Sequence, residues 1–359
     1  MTVSIFKRLL ASFLIAVPLI VQPLPIYPET SSAPTNGTFL KPRLHQQFRI
    51  KDCNLEQTNA INTAIREIPQ VLARTMVRLE NLISQLKTPA FDIFEDLDDT
   101  DYSTLDTFGV LYGRLLLTNS NVESTSRADE PTAVDILNDY LDFVGLMYNA
   151  VASIATQNLD VTCSNDWANE KNNDDEDYGN ATGNDGTDYY YDKSDNNFGW
   201  IQIKKVCQKN PTLEGFTFSI SSNLMVENQH TLASIIAICP LATSRARFKT
   251  TLTSIRDKTL TKSDSLEELS SQTATFLLLH EFSHALSLVG GYAKGDNAYS
   301  WSKCLELPDQ FSVQMAISNA DSFAFFATAM FLDTYTWYTG QALPKDDHVE
   351  LEQFSAVTY

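Results

Sequence analysis

The segment Phe276-Leu-Leu-Leu-His-Glu-Phe-Ser-His-Ala-Leu-Ser-Leu-Val289 places His280 and His284 four residues apart around Glu281. On a helix, residues with this spacing lie on one face, about 5–6 Å apart. Two imidazoles so placed bind one tetrahedral zinc ion, and the carboxylate between them reaches the attacking water. The alternative is a helix with two hydrogen-bonded histidines and no metal. Burying these groups in so apolar a segment is costly without a cation, which favours the metal.

A zinc ion that activates water needs a third protein ligand and one open position. Asp296 lies twelve residues after His284, in a segment whose glycines let the chain turn back beneath the helix. Asp321 is the second candidate for this ligand. The only histidine or cysteine residues downstream, Cys304 and His348, are less conveniently placed.

The N-terminus has the pattern of a secretory signal. Lys7 and Arg8 precede an apolar run, Leu9–Val21, that is short for a membrane span. We expect a signal peptide over residues 1–25 and a short N-terminal segment over residues 26–50. The alternative is an N-terminal anchor helix, which the prolines in this region oppose. The mature protein is therefore predicted to be secreted and extracellular.

Cysteines and glycosylation acceptors fit the same compartment. In an oxidising environment most of the five cysteines should pair and leave one free or intermolecular, in a pairing that the sequence leaves open. Asn36 and Asn180 each begin an Asn-x-Thr tripeptide and are predicted to be glycosylated. The cysteines are Cys53, Cys163, Cys207, Cys239 and Cys304.

The net charge of -19 bears on the partners of the chain. Phosphate contacts need clustered lysine and arginine, so nucleic acid and anionic membrane surfaces are not expected to bind. We expect a monomer that takes a protein or peptide substrate and has no membrane partner after signal removal. A cationic substrate is compatible with this charge.

Residues 51–160 are predicted to form a helical half. Apolar residues recur every three or four positions over 53–87, where Asn54 or Thr58 is a candidate N-cap and Pro69 is expected to kink or divide the helix. Two further helical patterns run over 103–117 and 131–155.

Residues 165–197 break this pattern. They carry ten acidic residues against two lysines, and no apolar period survives, which predicts a long solvated loop or an insertion. A calcium site is the alternative, because carboxylates crowd at 174–177. Their spacing does not match an ordered calcium loop, which disfavours that site.

Residues 200–345 are predicted to contain the sheet and the catalytic half, and residues 346–359 a C-terminal tail. β-Branched and aromatic residues indicate strands, and a three-to-four-residue period indicates a helix. The predicted strands are 200–206, 215–226 and 232–239, and the helical pattern covers 266–288.

Three motifs, in this order along the chain, resemble those of the aspzincins, which are the deuterolysins and the fungal lysine-specific metalloendopeptidases. They are His280-Glu-Phe-Ser-His284, Asp296-Asn-Ala-Tyr299 and Asn319-Ala-Asp-Ser-Phe-Ala-Phe-Phe-Ala327. The resemblance covers roughly residues 50–335, with strong motifs only in the last quarter.

This resemblance implies a role for each matching residue. Glu281 is expected to be the general base, and Tyr299 to donate its hydroxyl to the oxyanion of the tetrahedral intermediate. Asp321 is expected to line the substrate pocket, with a structural role or metal ligation as alternatives. The implied ligands of one Zn²⁺ ion are His280, His284 and Asp296.

The chain also departs from the family pattern. Lys294-Gly295 replaces the Gly-Thr pair before the aspartate, and Ser300 replaces the glycine after the tyrosine. Ala324 stands where the lysine-specific members have an acidic residue, which argues against a lysine preference.

These features together predict a mainly helical α+β fold of the zincin kind, with a small antiparallel sheet and an HExxH active helix. One metallopeptidase-like domain is expected over residues 51–345. The expected function is that of a secreted zinc-dependent metalloendopeptidase. The alternative is a catalytically silent, secreted zinc-binding protein that acts through its surface on a partner protein. Glu281 and Tyr299 favour the enzyme, whereas the altered loop before Asp296 and the acidic insertion favour the alternative.

Overall fold

The first strand of the described residues, β1 (Arg49–Lys51), leads directly into the long helix α1 (Leu55–Leu86). Asn54 caps this helix, because its side chain accepts from the Gln57 amide at 2.9 Å while Gln57 accepts from the Asn54 amide at 2.8 Å. Of the two candidate caps, Asn54 is therefore confirmed. Pro69 lies inside α1 without dividing it, since Ile68, Pro69 and Val71 are buried and tertiary packing sustains the helix.

This computed structural model describes residues 48–88, 97–113, 115, 132–152, 158–163, 169–170, 189–192, 197–200, 207, 211–226, 229–244 and 246–346. The predicted signal peptide, the glycosylation acceptors Asn36 and Asn180 and the tail from residue 347 onward lie outside these ranges. Among the described residues, no helix combines the length and apolarity that crossing a bilayer requires.

The main sheet has the order β1-β2-β7-β6 and is mixed. β1 pairs with β2, and β2 with β7, in parallel, whereas β6 pairs with β7 antiparallel. The expectation of an antiparallel sheet is therefore wrong, because the whole helical half connects β1 to β2 and such a crossover yields parallel strands. The elements concerned are α2 (Asp99–Tyr112), α3 (Ala133–Ala152), β2 (Asn158–Thr162), β6 (Gly215–Val226) and β7 (Gln229–Ile238).

A second, three-stranded antiparallel sheet lies in the acidic stretch, built from β3 (Asn169–Glu170), β4 (Tyr189–Asp192) and β5 (Asn197–Trp200). Of the two alternatives for 165–197, a continuous loop is wrong for these strands, and an insertion stays a prediction. In β4 the consecutive tyrosines favour a strand even in an acidic context. Of the strand predicted at 200–206, only Trp200 lies within the described residues.

The helical pattern over 266–288 is divided into three helices. Thr273 caps the central helix by accepting from the Phe276 amide at 3.2 Å, and Ala285, with ψ 100°, ends it directly after His284. The helices after β7 are α4 (Pro240–Ser244), α5 (Leu252–Arg256), α6 (Leu266–Ser271), α7 (Ala274–His284), α8 (Leu286–Val289), α9 (Trp301–Gln310), α10 (Val313–Ile317) and α11 (Ala320–Phe331).

The helix α7 lies between two structural layers. α11, buried along its whole length, packs against α7, α1 and α2, while β6 contacts α7 as well. The buried Glu67 of α1 ties α7 and α5 to the helical half, because its carboxylate accepts from the Thr253 amide at 2.7 Å and from the Thr275 hydroxyl at 2.5 Å. The residues of α7 are therefore held at fixed positions between the helical half and the sheet.

Two disulfides connect the described elements. Cys53–Cys163 joins the start of α1 to the end of β2, and Cys207–Cys239 joins residue 207 to the end of β7. Cys304, buried in α9, is the free thiol. This pattern matches the expectation that one of the five cysteines is left over.

Removing the longer cross-link should cost the protein more stability than removing the shorter one. The two disulfides have sequence separations of 110 and 32 residues. Loop-closure entropy predicts losses in the free energy of unfolding of about 5 kcal/mol for Cys53→Ser/Cys163→Ser and about 4 kcal/mol for Cys207→Ser/Cys239→Ser. Urea unfolding of both variants checks this order, and a larger loss from the shorter loop would contradict it.

Candidate metal centre

Three side chains from two segments converge at the end of α7. His280 Nε2 lies 3.1 Å from His284 Nε2, and Asp296 Oδ1 lies 3.2 Å from each of these nitrogens. In a tetrahedral site with ligands about 2.0–2.1 Å from the ion, the ligand atoms are roughly 3.3 Å apart. Within the described ranges, these are the residues whose ligand atoms converge closely enough to hold a metal ion.

Hydrogen bonds on the far side of each imidazole direct its Nε2 atom towards this point. His280 Nδ1 donates to Asp321 Oδ1 at 2.7 Å, and His284 Nδ1 donates to the Lys294 carbonyl at 2.8 Å. Because a carbonyl and a carboxylate only accept, the proton of each neutral ring lies on Nδ1. The Nε2 lone pairs are then free for a cation, which is the arrangement of metal-binding histidines.

The segment that carries Asp296 turns back beneath α7, as its glycines predict. Gly295 pairs with the segment before α11, since its amide donates to the Ser318 carbonyl at 2.7 Å and its carbonyl accepts from the Ala320 amide at 3.0 Å. The buried Asn319 side chain accepts from the Asn297 amide at 2.9 Å. Asp296 is thus held between two hydrogen-bonded anchors.

Lys294 anchors the same segment from within the protein. Its Nζ donates to the Ile317 carbonyl at 2.8 Å and lies 3.8 Å from the centroid of the Phe143 ring. Burial lowers the pKa of Lys294 to about 8. The cation–π contact joins the loop to α3, so Lys294 has a structural role.

Asp321 lies behind His280 and uses both of its carboxylate oxygens. Oδ1 accepts from His280 Nδ1, and Oδ2 accepts from the Ser300 amide at 2.9 Å. It does not belong to the convergent group of ligand atoms within the described residues. Of the alternatives for Asp321, the structural role accounts for this geometry, and its role in substrate binding stays a prediction.

Ser300 adopts a backbone conformation that favours glycine, with φ 75° and ψ 155°. Residues other than glycine are strained there, at a cost of about 1–3 kcal/mol. Two features hold Ser300 in place: the hydrogen bond that its backbone amide donates to Asp321, and the start of α9 at the next residue. Asp321, which accepts a hydrogen bond from His280, is therefore also bonded to Ser300, the residue that directly follows Tyr299.

Glu281 is not one of the three convergent ligand residues, and its carboxylate contacts β6. Thr217 donates its hydroxyl to Glu281 Oε2 at 2.7 Å, and Gly215 lies so close that an added Cβ would be 2.8 Å from Oε1. Burial raises the pKa of Glu281, while the charges of His280 and His284 and the bond from Thr217 oppose that rise. The motif predicts Glu281, whereas neither residue of β6 carries a signal in the sequence.

Tyr299 lies beside the metal centre with its side chain partly exposed. Its ring is 6.1 Å from that of His280, centroid to centroid, with an angle of 24° between the planes. Desolvation, the charge of Asp296 and a hydrogen bond to Asp296 all raise the pKa of Tyr299. The phenol therefore stays protonated at neutral pH and is able to donate.

His280, His284 and Asp296 shift one another's pKa values through hydrogen bonds and charge. Burial alone lowers the pKa of His280, but hydrogen bonds to Asp296 and Asp321 outweigh it and raise this pKa to about 10. Burial raises the pKa of Asp296, and the bonds from His280 and His284 lower it by more. Without a metal, the site thus holds a proton on the imidazole pair at neutral pH.

A metal ion must displace that proton, because only a neutral imidazole binds it. Zinc affinity should therefore rise with pH from 6 to 9, by up to about tenfold per unit for one displaced proton. Isothermal titration of the metal-free protein in buffers of different ionisation enthalpy measures the proton release directly. Asp321→Asn, which removes a charge that raises the pKa of His280, should release less. A pH-independent affinity would contradict this linkage.

Relief of the strain at Ser300 is also measurable. Ser300→Gly should raise the free energy of unfolding by about 0.5–2 kcal/mol, because the relieved strain exceeds the added entropy of a glycine in the unfolded chain. Ser300→Ala keeps the strain and serves as the control, with no gain expected. Thermal or urea unfolding of both variants provides the measurement. Equal stabilisation by alanine would show that the backbone conformation is not the cause.

Neither a protein-family model nor a curated protein matches this sequence. Among solved structures, the chain is similar to a zinc peptidase from Grifola frondosa, at 11% sequence identity and a TM-score of 0.36. The alignment covers 77% of this chain and 96% of the other. A TM-score this low establishes no shared fold, so membership of the aspzincins stays a prediction and the function is argued from the metal centre.

Proposed function

We propose that this chain is a secreted, zinc-dependent metalloendopeptidase. The observation that carries the proposal is the convergence of two imidazole nitrogens and one carboxylate oxygen at mutual distances of 3.1–3.2 Å, with a buried glutamate directly after the first histidine. Two nitrogen ligands and one oxygen ligand suit zinc and leave a fourth position open, as catalytic rather than structural zinc sites do.

A bound zinc ion would supply Lewis-acid chemistry, by lowering the pKa of a water molecule and polarising the substrate carbonyl. The residues of the chain supply the remainder. Glu281, which is not among the convergent ligands, takes the proton of the attacking water and passes it to the leaving amine. Burial raises the pKa of Glu281 and so brings it closer to the pH at which the enzyme would work.

Tyr299 is proposed to stabilise the developing oxyanion. Its phenol keeps its proton because its pKa is raised, so it offers a neutral hydrogen-bond donor beside the ligand residues. Asp321 acts on the reaction through His280, because its Oδ1 atom holds the imidazole in the orientation that ligation requires.

The same geometry bears on the substrate. Both oxygens of Asp321 are already bonded, and Ala324, three residues on, is fully buried and uncharged. No pair of acidic side chains is therefore available at these two positions to recognise a lysine. We propose a peptidase that cleaves protein or peptide substrates without a preference for lysine after the scissile bond.

Secretion and the absence of other partners belong to the same proposal. The two disulfides are stable in an oxidising compartment, which supports an extracellular site of action. The net charge of -19 opposes nucleic-acid binding. We propose a monomer that carries one zinc ion per chain.

Replacement of Glu281 tests the proposal. Glu281→Ala should retain zinc and lose hydrolysis by a factor of roughly 10²–10⁴, because the proton acceptor is gone and the ligands remain. The measurement is digestion of a diverse peptide mixture by the mature, zinc-loaded protein, read by mass spectrometry. Glu306→Ala, which removes a carboxylate that pairs with Lys303 on the surface, is the matched control and should retain full activity.

The pattern of products tests the substrate proposal in the same experiment. Cleavage sites without enrichment of lysine would support the proposal that Asp321 does not select lysine, whereas strict cleavage before lysine would overturn it. If neither the wild type nor Glu281→Ala cleaved any peptide while both bound zinc, the chain would be the catalytically silent zinc-binding protein.

A further inference from the structure

The edge strand β6 has two residues that lie directly against Glu281. The Thr217 hydroxyl is 2.7 Å from Glu281 Oε2 and 2.8 Å from the backbone carbonyl oxygen of the same residue. A Cβ built on Gly215 would be 2.8 Å from Glu281 Oε1 and 3.3 Å from Glu281 Cδ. The carboxylate therefore rests against the strand with one oxygen bonded and the other in the space that the glycine leaves.

We propose that Thr217 is a positioning residue for the general base and that Gly215 provides the space in which its carboxylate lies. This inference rests on the proposed function and assigns two further residues to the same site. Both residues belong to β6, two positions apart and hence on one side of the strand. The sheet thus holds the base, while α7 and the loop of Asp296 hold the metal.

Thr217 is suited to this task because a hydroxyl has one proton to donate and lone pairs with which to accept. While Glu281 is ionised, the hydroxyl donates to Oε2 and restrains the buried side chain. After Glu281 takes the proton of the attacking water, the hydroxyl is able to turn its own proton to the backbone carbonyl at 2.8 Å and accept from the carboxylic acid. One residue thereby satisfies the glutamate both before and after the transfer.

The reason for a glycine at position 215 differs from the reason for a glycine in a turn. Its backbone is part of a regular antiparallel pair with Ile238, so no unusual conformation requires a glycine there. What requires it is the close approach of Glu281, together with the Ala237 carbonyl at 3.3 Å from the added Cβ. A side chain at this position has to displace the carboxylate or the neighbouring strand.

Matched substitutions at residue 217 test the proposal in the zinc-loaded, mature protein. Thr217→Val keeps the branched shape that suits a strand and removes the hydroxyl, so kcat should fall roughly tenfold to a hundredfold with KM nearly unchanged. Thr217→Ser restores the hydroxyl and should recover kcat to within about threefold of the wild type. Zinc affinity should be equal in all three proteins, because no ligand has changed. An unaltered kcat in the valine variant, or a loss that serine does not recover, would overturn the positioning role.

A second readout needs neither zinc nor substrate. In the metal-free protein, Thr217→Val should lower the melting temperature more when Glu281 is present than in the Glu281→Ala background, because only the former leaves a buried carboxylate without its donor. Equal losses in the two backgrounds would show that the hydroxyl does not support Glu281. This comparison stays decisive even if the wild type cleaves no peptide, an outcome that would overturn the proposed function and not the contact.

Discussion

The rest of this site depends on the contact of the Asp296 carboxylate with two imidazoles of α7, whose Nε2 atoms in His280 and His284 each lie 3.2 Å from Oδ1. The Asp296 side chain is 44% exposed, whereas His280 is buried and His284 is half-buried. Its position beside the rings therefore depends on protons or a cation that compensate its charge, and on a backbone that holds it there. Several unrelated contacts meet that requirement. Lys294 ties the loop to the helical half, and the Asn319 side chain binds the next turn. The described part of the helical half supplies none of the three convergent side chains, and it supports the site through the Phe143 ring beside the half-buried Lys294.

Local spacing explains which parts of this centre are visible in the sequence. His280, Glu281 and His284 belong to one helical turn and a residue beyond, so a pattern of five residues already implies their arrangement. Asp296 comes within reach because glycines precede it. Thr217 and Lys294 carry no such pattern, since their roles depend on contacts with residues that are 64 and 23 positions away in the chain. A threonine in a strand and a lysine in a loop are common in any protein, and only the fold distinguishes these two.

The sheet also shows that local sequence patterns predict long elements better than short ones. Periodicity correctly predicts α1, and residue composition predicts β6 over 215–226 and most of β7 from the segment 232–239. Each of these elements has ten or more residues. β1 has three residues and β2 has five, too few for a period to emerge, and their parallel pairing follows from the crossover through α1, α2 and α3. The direction of a strand pair is a property of the connection and not of the strand. Composition misleads in the acidic stretch for a related reason, because the net charge of a segment does not reveal which few residues within it form a strand.

The position of Asp321 shows how one buried carboxylate supports two parts of the site at once. With Oδ1 on His280 and Oδ2 on the Ser300 amide, its charge is already directed into the protein and its strong acceptor positions are in use. A cationic group would have to share these oxygens with the His280 imidazole and the Ser300 amide, and losing either bond would leave an imidazole or a strained backbone amide without its acceptor. Each loss weakens the element that it supports, the metal ligand in the first case and the segment of Tyr299 in the second. The contacts of Asp321 therefore account for a structural role, in which it orients His280 and holds the Ser300 amide.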